Sequence, residues 1–258
     1  MRVVLVLQYD GKNFNGWQVQ PGLRTVQQTL EECLERLTGA KTTVIGSGRT
    51  DSGVHALCQV AHFDTEFASI PPEKYSFALN VILPPDVKAV KSFSAPEGFH
   101  ARFSSKRKTY VYRFYVSDCI LPLFDDHALQ IYRADTDKMK KAAAYLEGEH
   151  DFKCFLAANS VVKDTVRTIY SCEVIPHGIF IDVRVCGNGF LYNMVRTIAG
   201  TLYFAGIGRI APDGVPDILS GKDRELAGKT LAAKGLTLLS VEYDEFKADY
   251  FSDCSVSL

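Results

Sequence analysis

The sequence has no close pair of cysteines, no long apolar run and almost no net charge. Its seven cysteines stand at 33, 58, 119, 154, 172, 186 and 254, with no two nearer than fourteen residues. That spacing fits neither a zinc site nor a dense disulfide framework, and it predicts reduced thiols. The most apolar late stretch, Ile198 to Ile207, is about half the ~20 residues a membrane span requires. The apolar run from Val3 to Leu7 is too short for a signal peptide. A soluble, cytoplasmic protein is therefore expected. With 47% hydrophobic and 23% charged residues, the chain can bury one large core or two modest ones, and disorder is excluded as its default state. A net charge of −1 gives no global attraction to nucleic acid.

Charge is nevertheless unevenly placed. Arg102, Lys106, Arg107, Lys108 and Arg113 fall in one stretch that holds no acidic residue, with Phe103, Tyr110 and Tyr112 among them. Such a stripe suits a sugar-phosphate backbone with a stacked base. An ordinary strand with solvated lysines is the plain alternative.

Residues 2–9 read as a buried strand, rich in Val and Leu. Thr25 caps a helix whose apolar positions Val26, Leu30, Cys33, Leu34 and Leu37 recur at helical spacing, and Gly39 stands just past its end. Strands are expected at 42–47 and 57–64. Pro71-Pro72 opens a second helix that Pro84-Pro85 stops, and 87–94 gives a fourth strand. This is a β-α-β-β-α-β order, the ferredoxin-like split unit. The second half repeats it: a strand at 108–117, a helix from about 137 to 147, strands at 166–175 and 179–186 around Pro176-His177-Gly178, a helix from about 190 to 204, and a strand at 236–243. A short extra helix falls near 215–220. The expected fold is α+β, two ferredoxin-like units of residues 1–105 and 106–258 around a shared central cleft.

The loop between the second and third expected strands reads Gly46-Ser47-Gly48-Arg49-Thr50-Asp51-Ser52-Gly53-Val54-His55. Its glycines permit tight turns that can expose a side chain at a cleft. A plain hairpin loop is one reading. A phosphate cradle is another, but no Lys-Ser/Thr follows in register and no helix opens behind it. Arg49 and His55 flank Asp51, and an acid beside arginine stays ionised.

From Gly48 to His55 this loop resembles the signature of the tRNA pseudouridine synthase A family. Tyr9-Asp10-Gly11 with Phe14, Gly16-Trp17-Gln18 and Thr25-Val26-Gln27 is similar to that family's N-terminal pattern. Phe99-His100-Ala101-Arg102-Phe103 and Lys108-Thr109-Tyr110-Val111-Tyr112 resemble its middle motifs. Gly148-Glu149-His150-Asp151-Phe152, Met194-Val195-Arg196 and Gly235-Leu236 resemble later ones. The anchors occur in order from residue 9 to about 243.

The resemblance implies an isomerase that converts uridines at positions 38–40 of the tRNA anticodon stem-loop, as a homodimer and with no metal or other cofactor. It makes Asp51 the catalytic carboxylate, since breaking the C1′–N1 bond builds positive charge at C1′. It places Tyr110 against the target base, makes Arg196 the partner of Asp51 and puts Leu236 in the uracil pocket. Arg49 assists flipping or holds phosphate. Phe99, His100, Ala101, Arg102 and Phe103 form a flipping and RNA-contact region. Residues 159–163 align with a further contact loop in which only Lys163 is basic. Lys106 and Lys108 join the RNA contacts through the basic stripe. The plain readings are an aromatic pair of Tyr110 with Tyr112 and core roles for Leu236 and Cys58. His62, His100 and His150 are expected to be packing residues. Two other classes compete: a noncatalytic RNA-binding protein with paired recognition modules, and a small-molecule hydrolase using Asp51 and His55. The first lacks an RNP-type strand motif and a use for Asp51; the second leaves the stripe unexplained.

Overall fold

The computed structural model describes residues 1–157 and 162–249. Eleven strands and five α-helices follow one another among them: β1 (Arg2–Tyr9), α1 (Val26–Thr38), β2 (Ile45–Gly46), β3 (His55–Asp64), α2 (Tyr75–Ile82), β4 (Val87–Ser94), β5 (Arg107–Val116), β6 (Leu129–Ile131), α3 (Thr136–Ala144), β7 (Gly148–Asp151), β8 (Val166–His177), β9 (Phe180–Gly187), α4 (Met194–Gly206), α5 (Val215–Gly221), β10 (Leu236–Glu242) and β11 (Lys247–Asp249). The fold class is α+β. The chain divides into two compact units, residues 1–106 with the stretch from Leu238 onward, and residues 107–237. The closing strand, grouped with the second half by sequence, is thus counted with the first from Leu238 onward.

In the first unit β1 pairs antiparallel with both β3 and β4, and β2 pairs with β3. Strand β10 lies beside β3. Val3, Val4, Leu5, Val6 and Leu7 are all buried, so β1 is covered on both faces and its sequence has no alternation to show. Helix α1 buries Val26, Leu30, Cys33 and Leu34. The Thr25 hydroxyl accepts from the Gln28 amide at 3.4 Å, and Gly39 closes the helix in the left-handed region. The expected strand at 42–47 shrinks to Ile45–Gly46. Its upstream amide, that of Val44, donates instead to the Glu31 carboxylate on α1 at 2.9 Å. A carboxylate from the middle of α1 has taken a bond that a ladder would have used.

The second unit has the strand order β5-β9-β8-β7, with β6 parallel to β5. Helix α3 starts under the Asp135 carboxylate, which accepts from the amides of Asp137 and Lys138, and it packs on α4. It ends at Ala144, and the residues expected to continue it lead into β7. Strand β8 runs through Pro176 to His177, so the reversal into β9 falls at Gly178, whose φ is +56°. Helix α4 begins at Met194, four residues later than expected. Asn193 before it sits at φ +63°, a left-handed conformation that no preceding helical turn can contain.

Candidate active site

Asp51 is half-buried in the loop that joins β2 to β3. The backbone on either side of it is tied to residues 9–17. The Trp17 amide donates to the Thr50 carbonyl at 3.0 Å, and the Gly53 amide donates to the Phe14 carbonyl at 3.2 Å. The Ser52 hydroxyl reaches that same carbonyl at 3.3 Å, and the Tyr9 and Thr50 hydroxyls are 2.8 Å apart. Gly16 has φ +81°, and a Cβ there would stand 2.6 Å from the Thr50 carbonyl oxygen. Only glycine lets the two segments approach this closely. Asp51 closes the turn itself, its carbonyl accepting from the Val54 amide at 3.1 Å. The side chain is therefore presented by a backbone held on both flanks. Arg49, two residues away, is exposed. His55 is buried, and its Nδ1 accepts the Gly11 amide at 3.0 Å, so that nitrogen is engaged in structure rather than poised as a base.

The stretch Phe99–Phe103, also in the first unit, divides by burial. Phe99 and Ala101 are buried, while Arg102 and Phe103 are exposed and His100 lies between these extremes. Phe99 packs on Tyr243 and Phe246 with ring centroids 5.0 and 5.6 Å away. The Ala101 amide donates to His62 Nδ1 at 3.1 Å, and its carbonyl accepts the Tyr243 hydroxyl at 2.7 Å. These two residues hold the loop, and their side chains offer no surface to an RNA. The Phe103 ring is 76% exposed, with the His100 ring 4.3 Å away and the Arg102 guanidinium 5.6 Å away. Together they make a small cationic and aromatic platform.

Burial, with the charges of Arg2 and His100, pushes the His62 imidazole down to about 4. His62 is neutral in the fold and charges readily once unfolded, so the unfolded chain binds the extra proton as pH falls. Its contribution to stability is complete above about pH 6.5 and is lost on acidification toward about pH 4. Melting temperature measured across that window should fall less steeply for His62→Gln than for the unaltered chain. Parallel curves would remove His62 from the acid response.

In the second unit Tyr110 is buried on β5, opposite Val185 on β9. Its ring meets Phe190 edge to face at 5.3 Å. Tyr112, two residues on, packs on Phe114 and donates its hydroxyl to the Ala232 carbonyl at 2.8 Å. Arg196 lies in the first turn of α4, half-buried. Its Nε donates to the Leu231 carbonyl at 2.7 Å and its Nη1 to Asn193 Oδ1 at 2.6 Å. Residues 228–232 form a strap across α4, where a Cβ on Gly200 would collide with the Lys229 carbonyl and one on Gly228 with the backbone of Gly200 and Thr201. Arg224 clamps the strap through the Gly228 carbonyl and the Thr230 hydroxyl, both at 2.9 Å. Leu236, at the start of β10, is buried. Asn193 and the strap went unnoticed in the sequence, because only the fold brings residue 231 to residue 196.

Within β5 the basic stripe is divided between two faces. Along β5, residues 107, 109, 111 and 113 face one side and 108, 110 and 112 the other, which separates Arg107 from Lys108. Arg113 is bound bidentately by Asp182, directly across on β9, at 2.7 and 2.8 Å. Lys106 is exposed and pairs with Asp244 at 2.8 Å. Arg107 lies over the Tyr170 ring at 4.4 Å, and Lys108 is half-buried. Lys163 is exposed, whereas 159–161 of the aligned contact loop lie outside the described residues. No helix among the described residues is long and apolar enough to cross a membrane.

The glycine-bounded Asp loop and the Phe103 platform belong to a sequence class that comparison identifies. The family model for tRNA pseudouridine synthase matches residues 5–104 and 142–244, and the chain belongs to that family. It is an isomerase that converts uridine to pseudouridine in tRNA. Relatives named tRNA pseudouridine synthase A include that of Bacillus subtilis, 48% identical over 248 residues, which are 95% of this chain and 100% of the relative. A Thermoanaerobacter relative is 44% identical over 93% of this chain and 99% of its own length. That of Ruminiclostridium cellulolyticum is 43% identical over 94% and 99%. Asp51, Phe99–Phe103, Arg196 and Leu236 fall inside the matched segments; Lys106, Lys108 and Tyr110 fall between them.

Proposed function

We propose that this synthase acts on uridines 38–40 of the tRNA anticodon stem-loop and that Asp51 is its catalytic carboxylate. The supporting observation is the placement of Asp51, half-buried between backbone anchors at Thr50 and Gly53. Fixed charge needs no reorganisation when a cation develops. In the proposed cycle the C1′–N1 bond breaks, and the bonding electrons leave with the uracil. Positive charge at C1′ is met by the Asp51 carboxylate. The uracil turns, C5 bonds to C1′, and the C5 proton is lost while N1 gains one, so the product is an isomer of the substrate.

Tyr110 is the proposed face for the flipped base, Leu236 an apolar contact to it, and Arg196 the cation that keeps Asp51 ionised. A target inside a stem must leave its stack before any of this occurs. Arg49, His100, Arg102 and Phe103 are the proposed RNA contacts of the first unit, with Lys106, Lys108 and Lys163 adding charge. Two copies of the chain are proposed to share a tRNA in the cytoplasm.

Pseudouridine mapping tests the assignment of position. Transfer RNA from a strain lacking this gene should lose pseudouridine at 38–40 and regain it on incubation with the purified protein. Restoration at another site, with 38–40 unchanged, would overturn the anticodon assignment.

A further inference from the structure

Gln59 stands in the middle of β3 with none of its surface exposed. A carboxamide costs free energy to bury unless its donors and acceptor are used. All of its partners belong to the approach to Asp51. Its Oε1 accepts the Ser47 hydroxyl at 2.7 Å, and its Nε2 donates to the Gly48 carbonyl at 3.0 Å. The same nitrogen lies 3.5 Å from the Tyr9 hydroxyl, which in turn meets Thr50. Ser47 carries the chain of contacts further. Tyr243, which lies against Ser47, donates its hydroxyl to the Ala101 carbonyl at the base of the exposed platform.

We propose that Gln59 is a positioning residue for the isomerisation, fixing residues 47–50 from beneath so that Asp51 holds its place in the reacting complex. The proposal rests on Asp51 being the catalytic carboxylate. Gln59 touches no substrate in this scheme; it acts through Gly48, Ser47 and, by Tyr9, through Thr50. The loop amides at Ser47 and Gly53 bond elsewhere, to Val60 and Phe14, so the loop persists without Gln59 but with freedom at its centre. A displacement of about 1 Å at a reacting group can cost on the order of 100-fold in rate. The exposed groups that meet the RNA are untouched by the change.

The experiment compares Gln59→Leu and Gln59→Glu with the unaltered enzyme, and Asp51→Asn is run alongside. Single-turnover rates, KM for tRNA and melting temperature are measured from about pH 6 to about pH 8. Gln59→Leu should lower kcat about 100-fold with KM within about twofold. Gln59→Glu supplies a donor to the Gly48 carbonyl only when protonated. A buried carboxyl holds its proton to higher pH, so this variant should regain part of the lost rate as pH falls. Tyr9 beside it, pushed up to about 12 by burial, Tyr243, also pushed up by burial, and His62 on the opposite face of β3, pushed down to about 4, keep their charge states across that range. Dividing by the rate of the unaltered enzyme removes the response of Asp51 and of the RNA. If Gln59→Leu fails to fold, Gln59→Glu alone carries the test. Unaltered kcat in a folded Gln59→Leu overturns the proposal, as does a Gln59→Glu rate that fails to rise against the unaltered enzyme as pH falls, or a rate loss that follows the unfolded fraction at every pH. An active Asp51→Asn would instead overturn the catalytic assignment on which this one stands.

Discussion

Asp51→Asn should abolish pseudouridine formation, lowering the single-turnover rate by roughly 10⁴-fold or more, while tRNA affinity stays within a few fold. The change keeps the shape of the side chain and removes its negative charge. The anchors described around it are those of neighbours or of backbone: Thr50 to Trp17, Gly53 to Phe14, and the Asp51 carbonyl to Val54. These bonds use backbone atoms, and asparagine at 51 leaves them in place. The exposed cations and the Phe103 ring stay as they were, and affinity carried by phosphate contacts should persist. Conversion in a single turnover and filter binding on the same preparation give both quantities. Substantial turnover by a folded Asp51→Asn enzyme would sink the assignment.

Arg196→Ala should cost about 100- to 1,000-fold in rate. The guanidinium is held by two acceptors, the Leu231 carbonyl and Asn193 Oδ1, which fixes the direction of its charge. Removing it leaves both acceptors half-buried with a partner missing, at a cost of about 1–3 kcal/mol in stability. Lysine keeps the charge but cannot reproduce the fork, so Arg196→Lys separates the two effects. If the role of Arg196 is to keep Asp51 ionised, Arg196→Ala should lose activity at a higher pH than the unaltered enzyme as the solution is acidified. Rate against pH for the three proteins, with melting temperature beside it, is the measurement. A folded Arg196→Ala enzyme with a normal rate and profile would refute the role.

What could be read in advance depended on how local its cause was. Helix α1 was legible because its cap, its apolar stripe and its terminal glycine all lie within fifteen residues of each other. Strand β1 was legible from composition, although its burial on both faces erased the alternation. The start of α4 was not, since nothing local announces that Asn193 adopts the left-handed conformation. Nor was the shortening of the strand at 42–47, which follows from a side chain thirteen residues upstream. The Asp loop stood out through its glycines and its resemblance. The charge of Arg113 was visible, but its partner lies 69 residues away on β9. Sequence marks a cation; only pairing shows whether it is spent within the fold. Gln59 was passed over for the converse reason. An uncharged polar residue inside a strand draws no notice until its three partners are seen to border one loop.

The loop that carries Arg102 and Phe103 is anchored through its own backbone at Ala101, whose amide and carbonyl both end on buried side chains. Its exposed tip is further gathered in by His100 Nδ1, which accepts from the Arg102 and Phe103 amides at 3.2 and 3.3 Å. An RNA that meets this tip encounters a shape already formed. Little chain entropy remains to be lost there on association, so more of each stacking or phosphate contact appears as affinity. The same rigidity limits adaptation. A stem-loop of different curvature must deform itself, because this part of the protein has few other conformations to offer it.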